Sequence, residues 1–458
     1  MRVNKYLLKF KLGETWLIVN PLHETAIKLD EEALTALFEG KYQSFSKDEI
    51  DALKSMGILV EETFDELSFL RKKLIKEEEH LEKLVKAAFI VTWACNFDCK
   101  YCFEKKIKPL FGSDSMSVEQ IKEAFAFINW YAPDCKITGI EITGGEPLLI
   151  QNYNLISEIL ENAAKNNTNV AITTNGYNLD YYSSLLCKYA EIITGVRVTL
   201  DGPKEVHDKR RPLYGGHGTF DKIVKGIETL LANGFDKRKI FIIVKVDEEN
   251  VNALPELIRF LIGKGWFGNM TIGIGVPHSY GNWDSEKKGN IPEKLLSIFF
   301  ENLEWLMNIE VDDERKSIVI PRRVIVDKII PPVKAIACSG LHSRSLTFAP
   351  DGYVYTCMEF AQNKLLPLGK YYPEKQIFEK NITEIKKRNI FNLEMCHDCN
   401  LLPVCAGGCP FRDLSKTQLK DLKEGNLSLL ECRSCIDAKL MTYLASDLFF
   451  KLVMSSKQ

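Results

Sequence analysis

The sequence contains no apolar run approaching the roughly 20 residues that a membrane-spanning helix needs. Its start, MRVNKYLLKFKLGETW, alternates polar and apolar residues and lacks the continuous apolar segment of a secretory signal. These two absences give the expectation of a cytoplasmic protein with no membrane partner. An excess of either charge is missing too: 60 Lys and Arg against 62 Asp and Glu leave a net charge of −2, which argues against a nucleic-acid-binding surface as the main function. Cysteine, in contrast, is abundant. The chain carries 13, and in a reducing compartment clustered cysteines are more often metal ligands than disulfides. All but Cys135 and Cys187 fall into spaced groups, so these two are expected as core thiols.

At 458 residues the chain is long enough for two or three domains. Residues 1–65 read as a small unit. Tyr6, Leu8 and Phe10 alternate, as do Trp16, Ile18 and Asn20, which predicts a hairpin broken at Leu12-Gly13-Glu14. A strand over 25–29 leads into an acidic helix start at Asp30-Glu31-Glu32, a second helix opens at Ser46, and residues 58–60 form a returning strand. Residues 66–87 keep leucines at helical spacing opposite charges and read as a solvated linker helix. From 88 to about 300, strand-like runs (ITGIEITGG, VAITTNG, VRVTLDG, IFIIVKV) alternate with amphipathic segments. That alternation predicts an α/β fold, a partial TIM barrel of about six β/α units with functional groups at the carboxyl ends of the strands. A polar loop over 278–290 facing substrate, an amphipathic helix over 293–307 and a bridging region over 301–337 follow, and a cysteine-rich domain occupies 338–458.

The first cysteine group lies in WACNFDCKYCFE, where Cys95, Cys99 and Cys102 have the spacing C-x3-C-x2-C. Three thiolates from one loop can hold three irons of a cubic iron–sulfur cluster and leave the fourth open to a small molecule. A redox-inert zinc loop is the plainer alternative, although zinc sites favour C-x2-C pairs. Gly144-Gly145-Glu146-Pro147 follows the next strand, Asn175 the one after, and Thr199 and Asp201 the one after that. These motifs resemble the radical S-adenosylmethionine superfamily. The resemblance implies that the open iron chelates S-adenosylmethionine and that one electron from the cluster cleaves a carbon–sulfur bond to give a 5'-deoxyadenosyl radical. By the same resemblance Tyr101 lies against the adenine, and Gly144, Gly145 and Glu146 meet the methionyl amino group. Asn175, Thr199 and Asp201 then hold the cofactor, the last two through ribose hydroxyls. Arg211 and Lys245 contact its carboxylate. The run GPKEVHDKRRPLYGGHGTFD is similar to the subgroup that includes anaerobic sulfatase-maturing enzymes and peptide maturases, with His207 either packing that loop or acting in function.

The carboxyl-terminal cysteines resemble the SPASM extension of that subgroup: Cys338, Gly352 and Cys357, then Cys396-x2-Cys399-x5-Cys405-x3-Cys409, then Cys432 and Cys435. The resemblance implies two auxiliary 4Fe–4S clusters, three clusters in all. Cys338, Cys357 and Cys409 fall to the first auxiliary cluster and Cys396, Cys399, Cys405 and a late cysteine to the second, Cys435 being favoured over Cys432. Unless Cys432 closes it, the first has an open iron able to take a substrate thiolate. Residues 1–65 are similar to small winged-helix domains to whose sheet edge a leader peptide adds a strand. The reading is therefore a peptide maturase acting on a ribosomal precursor peptide with a leader and a cysteine-containing core. It would draw electrons from a flavodoxin- or ferredoxin-like donor and form thioethers from cysteine sulfur to carbon. Carbon–carbon crosslinking and formylglycine formation are the alternatives. Members forming formylglycine carry Asp after the cysteine that ends G-x4-C, whereas here Met358 and Glu359 follow Cys357.

Overall fold

The computed structural model describes residues 1–102, 115–275 and 333–432, apart from residues 13, 248, 412, 413 and 415. The polar loop over 278–290, the helix over 293–307, most of the bridging region and Cys435 lie outside the described residues. No described helix is long and apolar enough to cross a membrane.

The chain divides into two compact units, and the division is not the linear one expected. Among the described residues the first unit takes 1–82, 333–342 and 383–432, and the second takes 83–275 and 343–382. The amino-terminal part holds β1 (Arg2–Val3), β2 (Leu8–Leu12), β3 (Thr15–Asn20), β4 (Thr25–Asp30), α1 (Glu31–Phe38), α2 (Lys47–Ser55), β5 (Leu59–Val60) and α3 (Glu66–Leu81). Strands β2, β3 and β4 form one antiparallel sheet. The returning strand β5 pairs instead with β1, a two-residue strand too short to show a period in the sequence. Both helix starts follow from their caps. Asp30 accepts from the Ala33 N–H at 2.7 Å, and Ser46 with Glu49 closes a capping box.

Helix α3 is amphipathic, as expected, but its leucine stripe is core. Leu70 and Leu74 are fully buried with Tyr6, Leu22, Ala335, Ile390, Leu393 and Leu402. The Tyr6 hydroxyl donates to the His397 carbonyl at 3.0 Å, so the two ends of the chain share one apolar core instead of meeting through a solvated linker.

The second unit begins at β6 (Leu84–Thr92), four residues before the expected strand, because Val85 and Ala87 are buried on either side of exposed Lys86. It continues with α4 (Val118–Tyr131), β7 (Lys136–Gly144), α5 (Tyr153–Lys165), β8 (Val170–Thr174), α6 (Leu179–Lys188) and β9 (Ile193–Thr199). Then come α7 (Lys204–Arg210), α8 (Phe220–Ala232), β10 (Ile240–Lys245), α9 (Leu254–Gly263) and β11 (Thr271–Gly275). The six strands β6 to β11 lie parallel in sequence order, the sheet of a partial (β/α)6 barrel. Residues Ile140, Ile142, Val196, Val198, Ile240 and Ile242 are buried under the helices, and alternate positions are half-buried and partly polar, with Arg197 ion-paired to Glu141 at 2.9 Å. On the far side of β6 a further strand, β12 (Ser345–Phe348), joins in parallel, followed by antiparallel β13 (Tyr353–Tyr355), β14 (Gly369–Lys370) and β15 (Gln376–Ile377). Residues 343–382, expected in the cysteine-rich domain, thus extend the barrel sheet.

Candidate active site

The loop after β6 carries Cys95 and Cys102 half-buried and Cys99 buried. Its path is fixed by the two glycines at the end of β7. The Gly145 N–H donates to the Thr92 carbonyl at 2.8 Å and the Glu146 N–H to the Ala94 carbonyl at 2.9 Å. A methyl group on Gly144, whose φ is +132°, would stand 2.3 Å from the Thr92 oxygen; one on Gly145 would stand 2.4 Å from the Ala94 oxygen. The glycines therefore serve the close approach of the cysteine loop itself.

Glu146 is buried and both its oxygens are engaged. Oε1 accepts from the Leu148 N–H at 2.8 Å and the Thr174 hydroxyl at 2.6 Å, and Oε2 accepts from the Asn175 N–H at 2.6 Å. Burial pushes its pKa up to about 7 against the pull of these donors. Its carboxyl group thereby ties the end of β8 to the GGEP turn. Asn175 in turn donates from Nδ2 to Asn96 Oδ1 at 2.7 Å, with Cys95 Sγ 4.0 Å away. The Phe97 N–H donates to Cys95 Sγ at 3.4 Å. Burial first, and Glu146 next, push the Cys95 thiol up to about 12.

On its other side the cysteine loop is strapped to residues 210–214. The Tyr214 N–H donates to the Asn96 carbonyl at 3.2 Å, Asp98 N–H to Pro212 at 2.8 Å and Lys100 N–H to Arg210 at 3.1 Å. The strap delivers two buried arginines. Arg210 grips Asp247 through two bonds of 2.7 Å and lies 5.1 Å above the Tyr101 ring. Arg211 donates from Nη1 to the Tyr101 hydroxyl at 2.7 Å, and its buried Nε has no hydrogen-bond partner. Although burial opposes its charge, Tyr101, Cys99 and Asp201 outweigh that and hold its pKa above the usual arginine value.

Asp201 and Tyr101 are tied to protein groups. Asp201 is fully buried: Oδ1 accepts from the Lys245 N–H at 2.9 Å, Oδ2 takes the Tyr101 hydroxyl and lies 3.8 Å from Arg210 Nε. It anchors Tyr101 and the start of the loop after β10, and Thr199 is half-buried at the strand end. Tyr101, expected against adenine, has its hydroxyl committed and its ring beside Arg210. His207 packs its loop. Its Nδ1 accepts from the Asp201 N–H at 3.1 Å, so Nε2 carries the proton toward the Thr219 hydroxyl at 3.2 Å. Burial first, then the two arginines, keep its pKa well below the ordinary value. A His207→Asn variant is expected to lose about 1–2 kcal/mol in denaturant titrations, through one broken buried hydrogen bond, with no change in the pH profile of cofactor cleavage; a changed profile would show that His207 titrates in function. Arg210, Asn96, Thr174, Asp247 and Asn250, whose Nδ2 donates to the Asp201 carbonyl at 2.6 Å, complete this network and went unread in the sequence because no spacing marks them.

Residues 89–261 match the model of the Radical SAM superfamily. The chain carries a radical SAM domain. It is 31% identical over 171 residues to the GTP 3',8-cyclase of Photorhabdus laumondii, a match covering 36% of this chain and 46% of that one. The chain spans about half the length of the cyclases it matches. A cysteine-type anaerobic sulfatase-maturating enzyme of Clostridium novyi is 26% identical over 343 residues, 69% of this chain and 84% of that enzyme. Among solved structures, native anSMEcpe with bound AdoMet superposes with a TM-score of 0.58 at 17% identity over 82% of this chain and 100% of that one, which establishes a shared fold.

Cys95, Cys99 and Cys102 lie within residues 89–261, and the other described cysteines divide between the units. Cys338, Cys396, Cys399, Cys405, Cys409 and Cys432 belong to the first unit, and Cys357 to the second, where it caps the helix Met358–Asn363. Cys396 and Cys432 are buried, Cys399 is exposed, and Cys338, Cys405 and Cys409 are half-buried. Among the described residues no three His, Cys, Asp or Glu side chains sit close enough to share a single metal ion. Cys135 and Cys187, expected in the core, are only half-buried.

Proposed function

We propose that this chain is a radical S-adenosylmethionine enzyme that modifies a ribosomally made peptide by forming thioethers between cysteine sulfur and carbon. The observation that carries the first part is Arg211: a buried guanidinium whose Nε has no partner, strapped by backbone hydrogen bonds to the loop of Cys95, Cys99 and Cys102. Three sulfurs and a cationic donor fit a four-iron cluster whose open iron holds a ligand with a carboxylate. Such a cluster with S-adenosylmethionine supplies one-electron carbon–sulfur cleavage and the carbon radical that abstracts hydrogen. Cys95, Cys99 and Cys102 would hold the cluster. Gly144 and Gly145 let the loop close, Glu146 and Asn175 fix the sulfur of Cys95 in place, and Arg211 receives the carboxylate. Thr199 and Lys245, at adjacent strand ends, remain the residues offered to the cofactor's other polar groups.

The peptide substrate is supported by a relative that matches 69% of this chain, a sulfatase-maturating enzyme, and by the three-stranded sheet with helices at the amino terminus, where a leader would add a strand. Further cysteines suit two auxiliary clusters, with Cys338, Cys357 and Cys409 at one, Cys396, Cys399 and Cys405 at the other, and Cys432 or Cys435 completing a set. Thioether formation is favoured over formylglycine formation by the side chains after Cys357: Met358 stands where the latter chemistry needs Asp, and Glu359 is bonded to the Gln362 side chain. The sulfatase-maturating relative keeps formylglycine formation as the second reading.

Anaerobic incubation with S-adenosylmethionine, dithionite and a candidate cysteine-containing precursor, followed by thiol alkylation and mass analysis, tests the proposal. The expected product lacks two hydrogens per modified cysteine and resists alkylation. Deoxyadenosine formed while every thiol still alkylates would overturn the thioether reading, and no deoxyadenosine at all would overturn catalysis.

A further inference from the structure

The first unit buries an arginine that the proposed chemistry does not use. Arg388 follows the helix Glu379–Lys387 and is 1% exposed. Its guanidinium is spent on carbonyls of two cysteine-bearing loops. Nη2 donates to Gly407 and Gly408, both at 3.2 Å, in the turn between Cys405 and Cys409. Nη1 donates to the Leu429 carbonyl, which also accepts the Cys432 N–H at 3.4 Å. The turn is shaped for this contact: Ala406, Gly407 and Gly408 all have positive φ, and the Gly407 α-carbon side faces Leu393 and Arg388. One donor nitrogen is left over. Nε is buried without a partner; burial opposes the charge and holds its pKa below the usual arginine value, while Cys432, Cys409, Cys396 and Cys338, when ionised, favour the charge.

A buried cation is costly unless a negative charge faces it. Here the described hydrogen-bond partners are neutral carbonyls. A four-iron cluster with thiolate ligands is an anion, and it becomes more negative on reduction. We propose that Arg388 is a positioning residue of the auxiliary iron–sulfur site: it fastens the loops of Cys409 and Cys432 and sets a fixed positive charge, with the Nε hydrogen, against the cluster sulfurs, raising the cluster's reduction potential. Potentials of such clusters follow net charge, hydrogen bonds to sulfur and burial. The inference rests on the reading that the carboxyl-terminal cysteines hold iron–sulfur clusters.

The test uses the full chain with Cys95, Cys99 and Cys102 replaced by alanine, so that only auxiliary clusters are observed. This parent, Arg388→Gln and Arg388→Lys are reconstituted anaerobically and compared by iron and sulfide content and by redox titration followed by electron paramagnetic resonance. In Arg388→Gln a midpoint shifted to more negative potential is expected, with Arg388→Lys, which keeps the charge, recovering most of the shift. An unmoved midpoint in an iron-loaded Arg388→Gln chain overturns the proposal. If Arg388→Gln loses its iron, Arg388→Lys decides: a loaded chain with the parent's midpoint supports the proposal, and a chain that is empty or shifted overturns it. A parent that binds no iron overturns the auxiliary-site reading itself.

Discussion

Gly145→Ala is expected to slow cofactor cleavage about 100-fold while leaving the chain folded. The added methyl would meet the Ala94 oxygen at 2.4 Å and the Trp93 oxygen at 2.5 Å, both backbone atoms that cannot rotate away. The cysteine loop must therefore move, and with it the hydrogen bond from Glu146 N–H to Ala94. A displacement near 1 Å at reacting groups costs on the order of 100-fold in rate. Iron bound by the loop and deoxyadenosine produced from S-adenosylmethionine are both expected to fall to that degree. Gly263→Ala at the end of α9 is the control, since nothing lies within 4 Å of the added carbon. Retained iron and full cleavage in Gly145→Ala would show that the loop path is not set by this contact.

Asp201→Asn is expected to destabilise the chain by about 3 kcal/mol, at the lower end of the cost of breaking a buried ion pair. Asparagine keeps an acceptor for the Lys245 N–H but removes the charge facing Arg210 and the acceptor of the Tyr101 hydroxyl. Asp247 still grips Arg210, which holds the loss below the upper end of that range. Glu249 touches the same guanidinium at 3.0 Å, yet its carboxylate is 62% exposed, so Glu249→Gln should shift stability by less than about 1 kcal/mol. Urea unfolding of the two variants checks the contrast. Equal losses would mean that burial of Asp201 is not what makes the pair matter.

Much of the site was legible because its first elements are local. The cysteine spacing, the glycine pair and the helix caps at Asp30 and Ser46 each depend on residues a few positions apart, and α/β alternation announced the parallel sheet. What was not legible involved long-range partners. The partners of Asp201 had no sequence signal: Arg210, Tyr101 and the Lys245 N–H close around it. Helix α3 looked like a linker because its charged face is evident and the core that covers Leu70 and Leu74 comes in part from residues beyond 330.

The sequence by itself determined that three cysteines share a loop, that glycines follow the next strand and that strands and helices alternate, since covalent spacing and periodicity are properties of a short stretch. Only the tertiary structure decided that residues 210–214 clasp the cysteine loop, that Ser345–Phe348 extends the barrel sheet beside β6, and that Arg388 is buried between two cysteine turns. Hydrogen bonds between distant backbone segments leave no trace in side-chain spacing, and a buried charge is recognised only when the atoms around it are known.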